Sequence, residues 1–228
     1  MECCSRHHAQ SVDAGPRHPR LGLDAQTKTL AAAERSEEQR QNFRAQLATR
    51  PADDFVSVDE TGSNLNLTPR YARAPRGERA QGSIPRNTPP NSTLIAAMTL
   101  DGMGAAMVLD GATDTQAFEV YVEHFLVPTL RPGQVVVLDN LSAHKGTRVR
   151  ELISTAACDL WYLPSYSPDL SPIEEAFSKL KTLLRQAAAR TKEALLDALG
   201  VALSQITSSD ALGYFTHCGY CLPRVADH

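Results

Sequence analysis

Residues Trp161 to Lys181 read W-Y-L-P-S-Y-S-P-D-L-S-P-I-E-E-A-F-S-K-L-K, which predicts a short strand, a proline-punctuated loop and then a helix. Ser171 suits the N-cap of that helix, and Pro172 suits its first position. The apolar residues after the cap recur every three or four positions, at Ile173, Phe177, Leu180, Leu184 and Ala187. This spacing predicts a helix with one buried face.

Glu174 falls in the first turn of the predicted helix, where the helix dipole favours an ionised carboxylate. Ser171 and Glu174 also match a capping box, which needs no catalytic role. From this stretch alone the capping box is the favoured interpretation. Ser178, Lys181 and Arg185 fall on the same side of the helix as Glu174, so positive charge is expected beside this carboxylate.

Two further acids follow apolar strands directly. Asp59 comes after F-V-S-V, and Asp139 comes after V-V-V-L, a run typical of a central parallel strand. Ligands gather at the carboxyl ends of parallel strands, so Asp59 and Asp139 are expected to meet there if their strands are neighbours. Glu174 can then complete the cluster. Taken singly, each aspartate is better explained as a cap of the next turn.

Three carboxylates in one cluster repel one another unless a divalent cation neutralises them. Hard oxygen ligands suit Mg²⁺ or Mn²⁺. The three acids therefore predict a metal site if the chain brings them together.

The order of predicted elements indicates an α/β fold: three strands joined by short turns, then helix, strand, helix, strand and further helices. Such an order predicts a mixed sheet, antiparallel first and parallel later, with helices packed on it. The first strand is expected to end at Asp59 and a glycine turn, with a second strand over Ser63–Leu67. A helix is expected from Asp114 through Leu130.

Composition leaves room for one large domain or two small ones in 228 residues, 42% of them hydrophobic. The sequence contains no apolar run long enough for a membrane helix and no signal-peptide pattern, which predicts a cytoplasmic protein without a membrane partner. Five cysteines argue against a disulfide framework, and Cys218 and Cys221 beside His217 are better explained as incidental thiols than as half a zinc site. The net charge of −3 is uninformative to mildly adverse for a nucleic-acid partner, and the distribution of charge matters more than its sum.

Two motifs carry a resemblance to a known family. V-V-V-L-D-N-L-S-A-H-K, beginning at Val135, and the Y-L-P-S-Y-S-P-D-L-S-P-I-E-E stretch from Tyr162 are similar to the catalytic domain of DDE transposases, in the bacterial insertion-sequence branch of the mariner superfamily. V-S-V-D-E-T-G around Asp59 and R-Y-A-R-A-P-R-G from Arg70 fit the same pattern. The resemblance covers roughly residues 28 to 206.

The resemblance implies a ribonuclease-H-like fold, with a five-stranded mixed sheet and flanking helices. It implies a catalytic, metal-binding triad at Asp59, Asp139 and Glu174, with 34 residues between the last two acids. Asp59 is expected to bridge two Mg²⁺ ions, with Mn²⁺ as a substitute, while Asp139 and Glu174 hold one ion each. Glu175 is the alternative third acid, one residue away from the family position.

The implied activity is cleavage of DNA at insertion-sequence ends followed by strand transfer to target DNA. The partners that follow are transposon-end and target DNA and a second copy of the chain in a homodimer. A nucleoid-associated cytoplasmic location also follows.

Accessory residues are expected around this triad. Asn140 and His144 in the D-N-x-x-x-H motif could orient Asp139 or touch a phosphate, and loop hydrogen bonding is an equal alternative. Glu60 is expected to point away from Asp59 and to be structural. The basic residues expected to contact DNA phosphates are Arg70, Arg73, Arg76, Lys145, Lys181 and Arg185. A solvated surface role is the alternative for each basic cluster.

Composition, periodicity and the resemblance together predict four segments. They are a disordered or non-native segment over 1–26, a linker helix over 27–52, the catalytic domain over 53–207 and a tail over 208–228. Fewer than 60 residues precede Asp59, so the chain resembles only the catalytic half, and a separately encoded helix-turn-helix region is expected to recognise the transposon ends. A truncated or domesticated remnant that binds DNA without activity is one alternative function. Another ribonuclease-H-like nuclease is the second.

Overall fold

One five-stranded sheet forms the centre of the computed structural model, which describes residues 32–86 and 90–222. Valine-rich and other apolar runs form its strands, as expected from their β-propensity. The strands are β1 Phe55–Ser63, β2 Ser92–Thr99, β3 Gly102–Asp110, β4 Val135–Leu138 and β5 Asp159–Tyr162.

The strand order across the sheet is β3-β2-β1-β4-β5. β1 pairs antiparallel with β2, and β2 with β3, whereas β1–β4 and β4–β5 are parallel pairs. The mixed sheet with flanking helices predicted from the sequence is therefore confirmed. The strands that precede the predicted acids, β1 and β4, are neighbours, with Ser57 beside Val137 in register.

β1 is longer than the sequence analysis predicted. It continues past Asp59 to Ser63, because its second half pairs with β2, with Asp59 opposite Ala96 and Ser63 opposite Ser92. The expectation that the first strand ends at Asp59 is wrong, and so is the second strand over Ser63–Leu67, where a turn follows β1. β1 and β2 are also not joined by a short turn. The connection between them is residues 64–91, and its described part forms neither helix nor strand.

Six α-helices accompany the sheet in the described residues. They are α1 Glu37–Leu47, α2 Thr115–Tyr121, α3 Thr147–Thr155, α4 Pro172–Ala187, α5 Lys192–Ser204 and α6 Ser208–His217. Asp114 caps α2 through the backbone N–H of Ala117, and helical turns continue to Thr129, which confirms the predicted helix there. α1 begins only at Glu37, because Ser36 caps it.

Both faces of the sheet are covered by apolar side chains. On one face Phe55 and Val137 pack with Phe177 and Leu180 of α4, and α1, α5 and α6 complete this layer. On the other face Val56 and Val136 belong to a second cluster that includes residues of α2 and α3. Each fully buried aliphatic side chain contributes on the order of 2 kcal/mol by leaving water, so both layers stabilise the sheet.

The chain divides into two units between Ala33 and Glu34. Every described helix and strand lies in the second unit, Glu34–His228. The predicted disordered segment 1–26 lies outside the described residues. Residues after 207 form α6, whose Phe215 packs in the same layer as Phe55. None of the helices in the described ranges combines the length and apolar character needed to cross a membrane.

Candidate active site

Strand alternation brings the predicted acids to one face of the sheet. Side chains two apart on a strand share a face, so Asp59 lies on the same face of β1 as Phe55. Asp139 follows Val137 directly beyond the end of β4. Phe55 and Val137 both belong to the layer under α4. The two aspartates therefore lie beneath the helix that begins with Glu174.

Asp59, Asp139 and Glu174 line one cavity of about 390 Å³, here called the acid cavity. Its remaining wall is the loop between β5 and α4, together with the two residues after Asp139. These further lining residues are Asn140, Leu141, Leu163, Pro164, Ser165, Tyr166, Ser167, Pro168 and Ser171. The three carboxylates expected from the sequence thus open onto a common space.

Glu174 does not take part in the capping box that the sequence pattern allowed. Ser171 occupies the N-cap position of α4, but its side chain makes no capping hydrogen bond, so the predicted capping box is wrong. The Glu174 side chain is exposed. Glu175, the alternative third acid, instead contacts Nδ1 of His217 on α6 and does not line the acid cavity.

Asp139 is held in place by two donors. Its Oδ1 accepts the Leu141 backbone N–H at 3.0 Å and contacts His144 Nδ1 at 2.5 Å. The other imidazole nitrogen, Nε2, lies 3.0 Å from Glu60 Oε1. The His144 ring is fully buried and packs on Phe118, with ring centroids 4.1 Å apart. The imidazole therefore fixes the orientation of the Asp139 carboxylate.

The charge state of His144 follows from these contacts. Burial alone would lower its pKa, but the hydrogen bonds with Asp139 and Glu60 outweigh burial and raise the pKa to about 9. Near neutral pH the ring is thus an imidazolium that donates to both carboxylates. Glu60 does lie on the opposite face from Asp59, as predicted, but it reaches the site through His144, a role that the sequence analysis missed.

Asp59 lies where ionisation is unfavourable. Its pKa is raised to about 7, mainly by burial and further by the charges of Glu174 and Asp139. The Glu60 backbone N–H, which donates to Oδ1 at 2.7 Å, lowers the pKa and offsets part of the rise. A half-buried carboxylate beside two others is the chemical setting that a divalent cation stabilises. Among the residues described, no three His, Cys, Asp or Glu side chains are grouped tightly enough to hold an ion.

A second groove, about 580 Å³ in volume, meets the acid cavity at Glu174. It is called the basic groove because Arg70, Lys181 and Arg185 line it, together with Tyr71. Three of the predicted DNA-contacting residues are therefore gathered beside the triad.

The other basic residues predicted to contact DNA are placed differently. Lys145 lies over the Tyr162 ring, 6.0 Å from its centroid, next in sequence to His144. Arg73 and Arg76 are exposed and line neither the acid cavity nor the basic groove.

The loop that forms the cavity wall is anchored at both ends. Arg40 of α1 binds Asp169 through two nitrogens, at 2.8 and 2.6 Å, and the buried Tyr220 hydroxyl donates to the Leu170 carbonyl at 3.2 Å. Asn140 Nδ2 donates to Ser165 Oγ at 2.8 Å, which favours the loop-bonding interpretation of that residue. Arg40 and Asp169 are 129 residues apart, so no local sequence signal could have paired them.

Solved structures of Mos1 transposase share this fold. The Mos1 paired-end complex with the left transposon end matches with a TM-score of 0.67 and 14% identity, over 87% of this chain and 64% of that one. The Mos1 mariner paired-end complex with Mn matches at 0.64 and 15%, over 87% and 64%. The Mos1 catalytic domain with raltegravir and Mg matches at 0.59 and 15%, over 80% and 89%.

This chain spans less than two thirds of the length of the Mos1 chains in the paired-end complexes. At this level of identity the likeness shows the shared ribonuclease-H-like fold. No curated protein matches the sequence.

The family match covers the strands and the helix that carry the three acids. The model of the DDE superfamily endonucleases matches residues 54–196, more than half of the 228 residues. This span includes β1, β4 and the whole of α4. The chain therefore belongs to the DDE superfamily of endonucleases.

Proposed function

We propose that this chain is the catalytic part of a DNA transposase that cleaves insertion-sequence ends and joins them to target DNA in a Mg²⁺-dependent reaction. The observation that carries the proposal is the common cavity lined by Asp59, Asp139 and Glu174. Membership of the DDE endonucleases supports phosphodiester chemistry at these acids. The fold shared with Mos1 transposase supports transposition in particular.

The three acids would hold two Mg²⁺ ions, with Mn²⁺ as a substitute. The Mos1 structures solved with Mg and with Mn support this choice. The raised pKa of Asp59 and the neighbouring carboxylates suit cations of this charge. When bound, such ions activate an attacking oxygen and stabilise the leaving oxygen of a phosphodiester. Glu174 is exposed at the start of α4, so its side chain is free to turn inward.

The chain's own residues would prepare the site for this chemistry. The His144 imidazolium and the Leu141 N–H hold one oxygen of Asp139, which leaves Oδ2 for the cavity. Attack by water on the scissile phosphate breaks the bond to the 3′ oxygen and leaves a free 3′-hydroxyl. In a second reaction that hydroxyl attacks a target phosphodiester in the same cavity, which breaks the target's bond to its own 3′ oxygen and releases that oxygen as a hydroxyl.

DNA would reach the acids through the basic groove. Arg70, Lys181 and Arg185 line it, and Glu174 belongs to both cavities. Contacts of guanidinium and ammonium groups with phosphates position DNA but carry little sequence information. Recognition of the transposon ends is therefore assigned to a separately encoded N-terminal helix-turn-helix region. The working assembly is proposed to be a homodimer on paired ends, and the Mos1 structure solved as a paired-end complex supports the pairing of ends.

Cleavage of the inverted-repeat DNA that flanks the coding region is the direct test. At protein and DNA concentrations high enough that binding does not depend on a separate end-recognition region, the wild-type chain is expected to nick this duplex with Mg²⁺ and not with EDTA. Asp139→Asn is expected to lose nicking while its circular dichroism spectrum is unchanged. Asp101→Asn is the matched control, because Asp101 lies in the exposed β2–β3 turn. Nicking that survives in Asp139→Asn would refute the assignment of the site.

The same assay separates the alternative functions. A DNA-binding remnant would retain duplex binding without nicking under any metal condition. A ribonuclease-H-like nuclease of another kind would prefer an RNA–DNA hybrid to the inverted-repeat duplex.

A further inference from the structure

A third depression adjoins the acid cavity and shares no lining residue with the basic groove. It is a cleft of about 310 Å³ that shares Asn140, Leu163 and Pro164 with the acid cavity. Its outer wall is α1, which contributes Gln39, Asn42 and Gln46. It is called the amide cleft here, because Asn140 adds a fourth carboxamide to these three.

The amides face the cleft because of how α1 is packed. Arg40, Phe43 and Leu47 are buried, and each amide residue directly precedes one of them in the sequence. Gln39, Asn42 and Gln46 therefore share the next strip of the helix surface, since one residue turns the helix by about 100°. All three are exposed, and their side chains make no hydrogen bond with the described residues.

The orientation of this amide strip is fixed. Arg40 is tied to Asp169 by two hydrogen bonds, and the Phe43 ring meets the Trp161 ring edge-on, with centroids 6.4 Å apart. The strip is thus held against the same loop that walls the acid cavity. Side chains presented by a rigid helix lose less freedom on binding than those on a loop.

The chemistry of the amide cleft differs from that of the basic groove. None of the described residues that line it is charged; the remaining lining residues are Phe43, Tyr162, Leu163 and Pro164. Carboxamides both donate and accept hydrogen bonds, and they match the edge of adenine in particular. Such a lining suits nucleobase edges, whereas the basic groove suits phosphates.

A strand of DNA whose scissile phosphate lies at the three acids must leave the acid cavity on two sides. The basic groove provides one exit, past Glu174, and the amide cleft provides the other, past Asn140. We propose that the amide cleft binds the DNA segment on the opposite side of the scissile phosphate from the basic groove, through hydrogen bonds from Gln39, Asn42 and Gln46 to base edges. This inference rests on the proposed function.

The test compares three duplexes made from the flanking DNA: the uncut inverted repeat with its flank, the repeat side alone and the flank side alone. Binding is measured by fluorescence anisotropy with Ca²⁺ in place of Mg²⁺ to hold back cleavage. The triple variant Gln39→Ala, Asn42→Ala, Gln46→Ala is expected to bind the uncut duplex roughly tenfold more weakly, since each hydrogen bond contributes a small factor. The triple variant is expected to bind one of the two half duplexes more weakly than the wild type does, and to bind the other with unchanged affinity.

Gln41→Ala is the matched control, because Gln41 is an exposed amide of the same helix that does not line the cleft. Alanine favours helix at all these positions, so α1 is expected to keep its circular dichroism signal. The dependence of affinity on salt should be the same in the triple variant as in the wild type, because no phosphate contact is lost.

The outcomes of this experiment distinguish failure of the inference from failure of the proposed function. If the wild type nicks the uncut duplex in Mg²⁺ but the triple variant binds all three duplexes like Gln41→Ala, the amide cleft is not a DNA subsite and the proposed function stands. Equal weakening of both half duplexes, or an altered salt dependence, would also overturn the inference. If the wild type neither nicks nor binds the uncut duplex, the proposed function itself fails.

Discussion

Asp59 is a carboxylate that the fold holds close to its protonated state. Its position on β1 buries it, and burial with the charges of Glu174 and Asp139 brings its pKa to about 7. Between pH 3.8 and about 7, Asp59 is therefore largely protonated in the folded protein and largely ionised in the unfolded chain. Asp59 alone makes the free energy of unfolding fall as pH rises through that window.

Addition of Mg²⁺ is expected to raise the melting temperature of the wild type, and to raise it more at about pH 8 than at about pH 5.5. The reason is that the cation and the proton compete for the same carboxylate. At a hundredfold excess over the dissociation constant the gain is about 2.7 kcal/mol. Differential scanning fluorimetry should show the gain in Asp101→Asn and not in Asp59→Asn. An equal gain in both variants would place the cation elsewhere.

Glu60→Gln is expected to lower the pKa of His144 from about 9, because one of the two carboxylates that stabilise the imidazolium is lost. A titration of the imidazole signals by NMR measures the shift directly. Nicking should weaken less than in Asp139→Asn, since Asp139 itself remains. Glu123→Gln is the control, because Glu123 pairs with Arg148 and does not touch His144. An unchanged imidazole titration would show that Glu60 does not act on His144.

At the scale of elements, local patterns could predict the strand that leads to Asp139 and the helix that begins with Glu174. The V-V-V-L run, the proline after Ser171 and the spacing of apolar residues are all short-range signals, and β4 and α4 formed where they indicated. The end of β1 could not be predicted, because it depends on pairing with β2, in which Ser63 lies opposite Ser92, 29 positions along the sequence. Asp59 consequently lies within a strand and not at its end.

The anchoring of the cavity wall by α1 also depends on distant residues, and it has an asymmetric energetic consequence. Arg40 is 2% exposed whereas Asp169 is half exposed. Removal of the carboxylate leaves a guanidinium buried without a full partner, while removal of the guanidinium leaves a carboxylate that water can solvate. The two partners should therefore differ in how much stability they cost when replaced.

Asp169→Ala is expected to lower the free energy of unfolding by about 3–5 kcal/mol, and Arg40→Met by about 1–3 kcal/mol. Urea denaturation measures both. Arg35→Met is the control, because its pair with Glu37 is solvent-accessible and should contribute less than about 1 kcal/mol. A larger loss for Arg40→Met than for Asp169→Ala would contradict the asymmetry of burial.

Across the whole molecule, the distribution of charge matters more than its sum. The net charge is −3, yet Arg70, Lys181 and Arg185 line one groove beside the acid cavity. Several other cations are matched by acids elsewhere, such as Arg148 by Glu123 and Lys179 by Asp210. A total charge read from composition cannot reveal this arrangement, because ion pairing is decided by the fold.

The basic groove should therefore dominate the salt dependence of DNA binding. Lys181→Ala with Arg185→Ala is expected to weaken binding to duplexes of any sequence, and to reduce the slope of log affinity against log salt by about 1–2, because each lost phosphate contact removes about 0.9 from the slope. Arg148→Ala, whose cation is already paired with Glu123, should leave the slope unchanged. Anisotropy titrations across a range of salt concentrations measure both variants. A reduction of the slope by Arg148→Ala as large as that by the groove variant would mean that DNA phosphates bind outside the basic groove. DNA would then not enter the acid cavity past Glu174.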